Sequence, residues 1–281
     1  MPEKYIRRDG LPLLLRHTGP TTLPQDPPQR GHAPPLFCLH DAGLQSSVFG
    51  ELLAELEDRA EAERDGALAF DLPGHGRSGS LDSLPSIEAM AEMARWVAGW
   101  CEIDRTVLIG HGMGALVALE WAKTAPDTVA GLVLCGIGRM LGLEASEIEQ
   151  MRRVAQGKAP RPFDPSRLAP GASADRMRQA YMEGIQTDPR ATLVDLEACR
   201  AWVDASGLQA PEATGLDLSP AIPVRVLIGA AEPETSRART EAFAEGLSRA
   251  DLRILEEAAH WLPLEQAAAV AEESLALRTG T

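Results

Sequence analysis

The sequence is poor in aromatic residues, in positive charge and in long apolar runs, and each shortage excludes a class of protein. Aromatic residues make up 4% of the 281 positions, and 27 Lys and Arg stand against 41 Asp and Glu, a formal net charge of -14. The basic residues are scattered, unlike those of a surface that binds nucleic acid or anionic lipid. No run approaches the roughly 18 apolar residues of a membrane-spanning helix. We therefore expect neither a nucleic-acid partner nor a membrane partner.

Cysteine is also scarce, and its spacing carries no metal signature. The four cysteines show neither a C-x-x-C pair nor the spacing of zinc ligands: Cys38, Cys101, Cys135 and Cys199. No metal and no cofactor are predicted. The N terminus is charged and no apolar segment follows it, unlike a secretory signal. The sequence thus predicts a cytoplasmic protein, and it carries no signal of an oligomeric state.

The apolar residues that are present, 44% of the chain, form short runs separated by helical patterns. Runs of this kind recur between Leu36 and Cys135 and resume at Val224, which is typical of βαβ units and a largely parallel sheet. Between residues 139 and 218 the alternation stops, and charge-rich helical patterns broken by prolines replace it. The sequence predicts an α/β fold with a mostly parallel central sheet flanked by helices. Its core would comprise residues 1–138 and 219–281, with a helical lid of residues 139–218 between strands 6 and 7.

One stretch, Val107 to Ala115, changes from an apolar run through glycines into a helical pattern. A strand, a sharp turn and a helix in this order are typical of a nucleophile elbow, G-x-S-x-G, and Gly112 stands where the nucleophile belongs. Polar residues also follow other predicted strands, at His40-Asp41, Glu232 and His260. Because the carboxyl ends of parallel strands meet at one edge of a sheet, we expect these residues to converge.

Several separate motifs resemble those of the α/β-hydrolase superfamily, in its lidded, esterase- or lipase-like branch. They are Leu39-His40 with Gly43, the turn Asp71-Leu72-Pro73-Gly74-His75-Gly76-Arg77-Ser78, the elbow Gly110-His111-x-Met113-Gly114, and Ala259-His260 with Pro263 and Glu265. Their order along the chain, elbow, acid, histidine, is that of the α/β-hydrolase triad. The resemblance covers almost the whole chain and implies a serine-hydrolase scaffold.

The resemblance also implies a role for each matching residue. His260 would be the general base and Glu232 the acid that orients it, with Glu234 as a competitor for that role. The backbone N–H groups of Ala42 and Met113 would bind an oxyanion. Four further residues are expected to line the substrate site: His40, Asp41, His111 and Trp261. The ligand implied is small and apolar or ester-like.

Two positions depart from the family pattern. Asp41 stands where relatives usually have glycine, and a carboxylate there would repel a developing oxyanion. Gly112 has no side chain with which to attack a substrate, so acyl-serine catalysis at this position is excluded. Glycine adopts the positive φ of an elbow freely, so the turn itself should persist.

Three functions remain open for such a chain. It is an esterase scaffold deprived of its serine, or an enzyme in which His260 works as a general base, or a non-catalytic module that binds a small molecule. General-base chemistry would activate water, with the space at Gly112 holding it, or resemble that of lyases and cofactor-independent oxygenases. If the scaffold is intact, Gly112→Ser should create ester hydrolysis.

A different class, dinucleotide binding, also has a matching pattern. Gly110, Gly112 and Ala115 satisfy G-x-G-x-x-A. That motif needs an acidic residue about 20 positions on, at the end of the next strand. The corresponding place holds Cys135 to Gly138, without an acid. We therefore set nucleotide binding aside.

Overall fold

The computed structural model describes residues 1–29, 31, 33–59, 66–208 and 216–279. The predicted lid, residues 139–218, includes positions 209–215, which lie outside the described residues. The division into a core and a lid stays a prediction.

Eight strands of the described chain form one sheet in the order β1-β2-β4-β3-β5-β6-β7-β8. The strands are β1 Glu3–Arg8, β2 Leu11–His17, β3 Leu36–Leu39, β4 Ala67–Phe70, β5 Thr106–His111, β6 Val129–Cys135, β7 Val224–Gly229 and β8 Ala250–Leu255. The strands β1 and β2 are antiparallel to their neighbours, whereas β3 to β8 pair in parallel. The predicted α/β fold with a mostly parallel sheet is confirmed.

The strands β3 and β4 are apolar at every position because both faces of the sheet are covered. Side chains of successive residues point to opposite faces of a strand. In β3, Phe37 and Leu39 belong to one buried cluster, while Leu36 and Cys38 belong to another. Continuous apolar runs are what a strand buried on both faces requires.

Ten α-helices in the described residues cover the sheet or extend beyond it. They are α1 Gly50–Arg59, α2 Ile87–Trp100, α3 Met113–Thr124, α4 Ile137–Leu141, α5 Ala145–Ala155, α6 Ala174–Gln186, α7 Pro189–Ser206, α8 Glu234–Glu245, α9 Leu262–Glu265 and α10 Ala267–Thr279. The helices α2, α3 and α8 pack in the first cluster, and α1 and α10 in the second. Within the described ranges, none of these helices is both long and apolar enough to cross a membrane.

The helices α4 to α7 lie between β6 and β7 in the chain. We call this segment, residues 137–206, the helical insertion. The last of its helices, α7, contributes Cys199, Trp202 and Val203 to the first apolar cluster. The indole Nε1 of Trp202 also donates to Glu120 Oε2 of α3 at 2.9 Å. The insertion is therefore anchored to the sheet domain by both apolar and polar contacts.

Candidate functional site

The residues that the sequence singled out lie along one edge of the sheet. Asp41 follows β3, Gly112 follows β5, Glu232 follows β7 and His260 follows β8. This is the edge at which parallel α/β sheets bind ligands. Asp41, His260 and Glu232 are only 1%, 3% and 5% exposed. The structure thus brings these four residues together in an enclosed centre.

The carboxylate of Asp41 accepts hydrogen bonds from both N–H groups that were predicted to bind an oxyanion. The N–H of Ala42 donates to Asp41 Oδ1 at 2.7 Å, and the N–H of Met113 donates to the same atom at 2.8 Å. Met113 is the first residue of α3, where backbone N–H groups lack partners within the helix and favour an anion. The two donors converge on one point, and an oxygen of the chain itself occupies it.

Gly112 makes this placement of Asp41 possible. Its φ of +52° is the left-handed conformation that glycine tolerates, so the elbow turn persists as predicted. A Cβ atom added at Gly112 would lie 2.0 Å from Asp41 Oδ1 and 2.7 Å from Oδ2. The carboxylate fills the space that a side chain at 112 would occupy. The expectation that this space is open to water is therefore wrong, and Gly112→Ser alone does not fit beside Asp41.

His260 lies between two carboxylates. Its Nε2 is 3.0 Å from Asp41 Oδ2, and its Nδ1 is 3.6 Å from Glu232 Oε1, an ion-pair distance rather than a hydrogen bond. The other oxygen of Glu232 accepts from the hydroxyl of Ser236. Glu234, the competing acid, is exposed at the start of α8. Of the two candidates, the structure brings Glu232 to the histidine.

These contacts shift the pKa values of all three groups. Burial favours the neutral ring, but the hydrogen bond to Asp41 and the charges of both acids raise the pKa of His260. Burial likewise opposes ionisation of the acids, yet the ring of His260 lowers the pKa of Asp41 and of Glu232. Both sets of contacts favour an imidazolium between two carboxylates over a neutral ring.

The loop that carries His260 is fixed by Glu265. Its Oε2 accepts from the N–H groups of Ala259 and Trp261, each at 3.1 Å, on either side of the histidine. The N–H of His260 itself donates to Arg167 O of the helical insertion at 3.0 Å. These bonds leave the backbone of the histidine little freedom.

His40 and His111 lie beside the centre, and three of their four ring nitrogens contact backbone atoms. His40 Nδ1 is 2.9 Å from Asp41 O, and the N–H of Leu72 donates to His40 Nε2. His111 Nε2 is 2.8 Å from His260 O. Burial first, and then a neighbouring histidine, lowers the pKa of each ring to about 4. Both rings are thus neutral and hold loops in place.

Trp261, the last residue expected to line the site, has its side chain in the second apolar cluster, beside the helices α9 and α10. It is 5% exposed. The indole is thus packed among apolar residues of the core.

Asp41, His111 and His260 each offer one ligand atom within 4.8 Å of the others, so these three residues could hold a metal ion. Two histidines and a carboxylate are a donor set that suits divalent transition metals. His111 Nδ1 is buried without a hydrogen-bond partner in the described part of the chain. The Asp41 and His260 atoms, however, already bond each other, and a metal would have to replace that bond.

Sequence reasoning missed Asp195 of α7, which bonds the loop that carries Asp41. Its Oδ2 accepts from the N–H of Gly43 at 2.9 Å, across 152 positions of the chain. The available signal was an aspartate among the apolar positions Ala191, Leu196 and Ala198 of one helix. A charge on a buried helix face needs a partner elsewhere.

Comparison with known proteins yields the same fold and family. The chain is 33% identical over 138 residues to pimeloyl-[acyl-carrier protein] methyl ester esterase of Methylococcus capsulatus, covering 45% of this chain and 48% of the relative. It is 35% identical over 104 residues to the protein of that name in Chromobacterium violaceum, covering 37% of each. The aligned segments thus span about half or less of these relatives.

Solved structures match over nearly the whole length. A thermophilic esterase from Thermogutta terrifontis has a TM-score of 0.74 and 22% identity, covering 99% of this chain and all of that one. An esterase from Exiguobacterium antarcticum has a TM-score of 0.77 and 15% identity, covering 98% and 99%. At these identities the likeness shows the fold alone. The sequence model described as the alpha/beta hydrolase family matches residues 36–273, so the chain belongs to the α/β-hydrolase family.

Proposed function

We propose that this protein is a hydrolase that acts on a small ester-like ligand through general acid–base catalysis by His260, with water in place of a serine as the nucleophile. One observation carries this proposal. The carboxylate of Asp41 contacts the N–H groups of Ala42 and Met113 and the Nε2 of His260 at once. The constellation of a serine hydrolase is present, with an acid where the serine and the oxyanion would be.

The protonation of this centre supports catalysis by proton transfer. Although burial opposes a charged ring, Asp41 and Glu232 raise the pKa of His260, which favours its imidazolium form. The imidazolium is the acid of the couple, and the neutral ring formed at higher pH is the base. As a base, His260 takes a proton from water while the hydroxide adds to the carbonyl carbon. The proton is then returned to the departing alkoxide, so that acid and alcohol are the products.

The N–H groups of Ala42 and Met113 serve the carbonyl oxygen in this scheme. Donors of this kind stabilise an oxygen that becomes negative in the transition state. In the resting centre both N–H groups donate to Asp41 Oδ1. The carbonyl oxygen of the ligand therefore displaces Asp41 Oδ1 when it binds. The ligand class rests on the relatives, among which methyl ester esterases and other esterases recur.

The pH dependence of hydrolysis tests this function. With p-nitrophenyl acetate as probe, the rate should rise with pH through the raised pKa of His260. His260→Gln should lower the rate about a hundredfold or more, the usual contribution of a general base. Asp41→Asn removes one of the two charges that hold the proton, so it should move the rise to lower pH. A wild-type rate equal to that of His260→Gln at every pH contradicts the proposal.

A second candidate, a ligand-binding module without turnover, is favoured by one feature. The N–H groups of Ala42 and Met113 are satisfied within the chain. The side chains of the centre, Asp41, Glu232 and His260, are also nearly inaccessible to solvent. This candidate predicts a small molecule that co-purifies, visible by native mass spectrometry, and no hydrolysis. His260→Gln separates the two, because it lowers the rate if His260 is the general base and leaves no rate to lose if the protein only binds its ligand.

A further inference from the structure

A second buried ion pair joins the helical insertion to the loop that carries Asp41. Asp195 of α7 places Oδ2 2.8 Å from His75 Nε2 and 2.9 Å from the N–H of Gly43. The side chains of Asp195 and His75 are both 0% exposed. His75 belongs to the turn after β4, so three segments that are distant in the chain meet at one carboxylate oxygen.

The hydrogen bonds of this pair require a proton on both ring nitrogens of His75. His75 Nδ1 lies 3.0 Å from Pro73 O, and Nε2 faces Asp195. A carbonyl oxygen and a carboxylate oxygen both accept hydrogen bonds, so both ring nitrogens must donate. Burial disfavours the charged ring, but the charge of Asp195 raises the pKa of His75. His75 is therefore an imidazolium.

Two routes connect this pair to Asp41. The first is the backbone, because Gly43 is two residues from Asp41 and has φ +69°. A Cβ at Gly43 would lie 2.7 Å from the side chain of Thr192, one turn before Asp195 on α7. The helical insertion thus packs directly against this loop.

The second route runs through two histidine rings. The ring of His75 packs against that of His40 at an interplanar angle of 48°, with centroids 4.8 Å apart. His40 in turn bonds the carbonyl oxygen of Asp41 at 2.9 Å. The position of the Asp41 backbone thus depends on contacts that begin at Asp195.

We propose that Asp195 is a positioning residue for Asp41, through which the helical insertion holds the loop of residues 40–43 in the geometry that the centre requires. Neither Asp195 nor His75 has a hydrogen bond to His260 or to the N–H groups of Ala42 and Met113. The inference therefore stands whether or not the centre hydrolyses esters.

The charged groups around His75 give the pair its pH dependence. Asp195 faces it from α7, Asp71 from the end of β4 and His40 from the end of β3. Cys199, one turn along α7, is the titratable neighbour of Asp195. When pH rises through the raised pKa of His75, the ring loses one of its two N–H groups, so it can no longer donate to both Pro73 O and the carboxylate of Asp195. The carboxylate that accepts from the N–H of Gly43 is then held less firmly.

Imidazole NMR and amide hydrogen exchange of the full chain test this assignment. In the wild type, His75 should remain an imidazolium at neutral pH, and the protection factor of the Gly43 amide should fall once His75 titrates. Asp195→Asn keeps the shape but not the charge, so His75 should become neutral at lower pH. The Gly43 amide should exchange about ten- to a hundredfold faster, the usual weight of hydrogen bonds to a charged group.

A matched control is Glu197→Gln, which removes a charge from the exposed face of the same helix, where Glu197 pairs with Arg152. It should leave both readouts unchanged. If Asp195→Asn leaves the titration of His75 and the protection of Gly43 at wild-type values, the assignment is overturned.

His75→Gln gives a second, independent readout. Its amide still donates to Asp195 but cannot titrate, so Gly43 should stay protected at neutral pH and lose its pH dependence. A pH dependence equal to that of the wild type in this variant would overturn the role of the His75 proton.

Discussion

At the scale of single residues, Gly112 and Asp41 are one feature rather than two. The carboxylate of Asp41 lies where a side chain at position 112 would begin. It also satisfies Ala42 and Met113, whose N–H groups would otherwise be buried without partners. The glycine at position 112 and the carboxylate of Asp41 thus complement each other in space, and the carboxylate completes the hydrogen bonding.

This coupling predicts how esterase activity depends on both positions. Gly112→Ser alone should destabilise the fold and give no ester hydrolysis, because its Cβ meets Asp41 at 2.0 Å and its φ is strained by about 1–3 kcal/mol. Gly112→Ser combined with Asp41→Gly clears the space and frees both donors beside His260. Only the double variant should react with a fluorophosphonate probe and hydrolyse p-nitrophenyl esters.

The control for this experiment is Gly112→Ala with Asp41→Gly, which has the same space but no hydroxyl. It should not react with the probe. A folded double serine variant that stays unlabelled, or a single variant that reacts equally fast, would show that the two positions are not coupled as described.

At the scale of elements, the helical insertion is held to the sheet domain by α7 at two buried polar contacts. One is Asp195 with His75, and the other is Trp202 with Glu120. Glu120 is buried, with Lys123 as its nearest cation at 3.4 Å. A buried carboxylate that loses a donor keeps its desolvation cost.

The Trp202 contact predicts a measurable loss of stability. Trp202→Phe keeps most of the apolar contact but removes the indole N–H, so the free energy of unfolding should fall by about 1–3 kcal/mol. Glu120→Gln is the matched variant, because its amide oxygen still accepts from Trp202 and should cost less. Urea unfolding measures both, and an equal loss in the two variants would contradict the role of this hydrogen bond.

The elements also show what the sequence could predict. Strands β3 and β5 were predictable because continuous apolar runs followed by glycine-rich turns have few other structures. The position of Asp41 was not, because it depends on a side-chain rotamer and on the space that Gly112 leaves. The choice between Glu232 and Glu234 depends on which of the two side chains is buried, and the sequence alone does not show this. The contact of Asp195 with Gly43 joins positions that no local pattern relates.

At the scale of the whole molecule, two buried histidines stand beside carboxylates, and their titration makes the stability of the protein depend on pH. His260 and His75 both have a raised pKa in the folded protein. A raised pKa contributes stability that is complete below the unfolded value of about 6.5 and is lost as pH rises through the folded value. Asp41 and Glu232 have lowered values, so their contribution is present above about 4 and is lost as pH falls.

The free energy of unfolding that comes from the Asp41–His260 pair should therefore be greatest between about pH 4 and 6.5 and decline on either side. Asp41→Asn tests this, because its amide oxygen still accepts from Ala42 and Met113 while the charge is gone. The difference in stability between the wild type and this variant, measured by urea unfolding across pH, should follow that window. The titration of His75 is common to both proteins and largely cancels. The difference should reach about 1.5–3 kcal/mol, the usual contribution of a hydrogen bond to a charged group. A difference that stays constant from pH 5 to pH 9 would mean that His260 carries no proton beside Asp41.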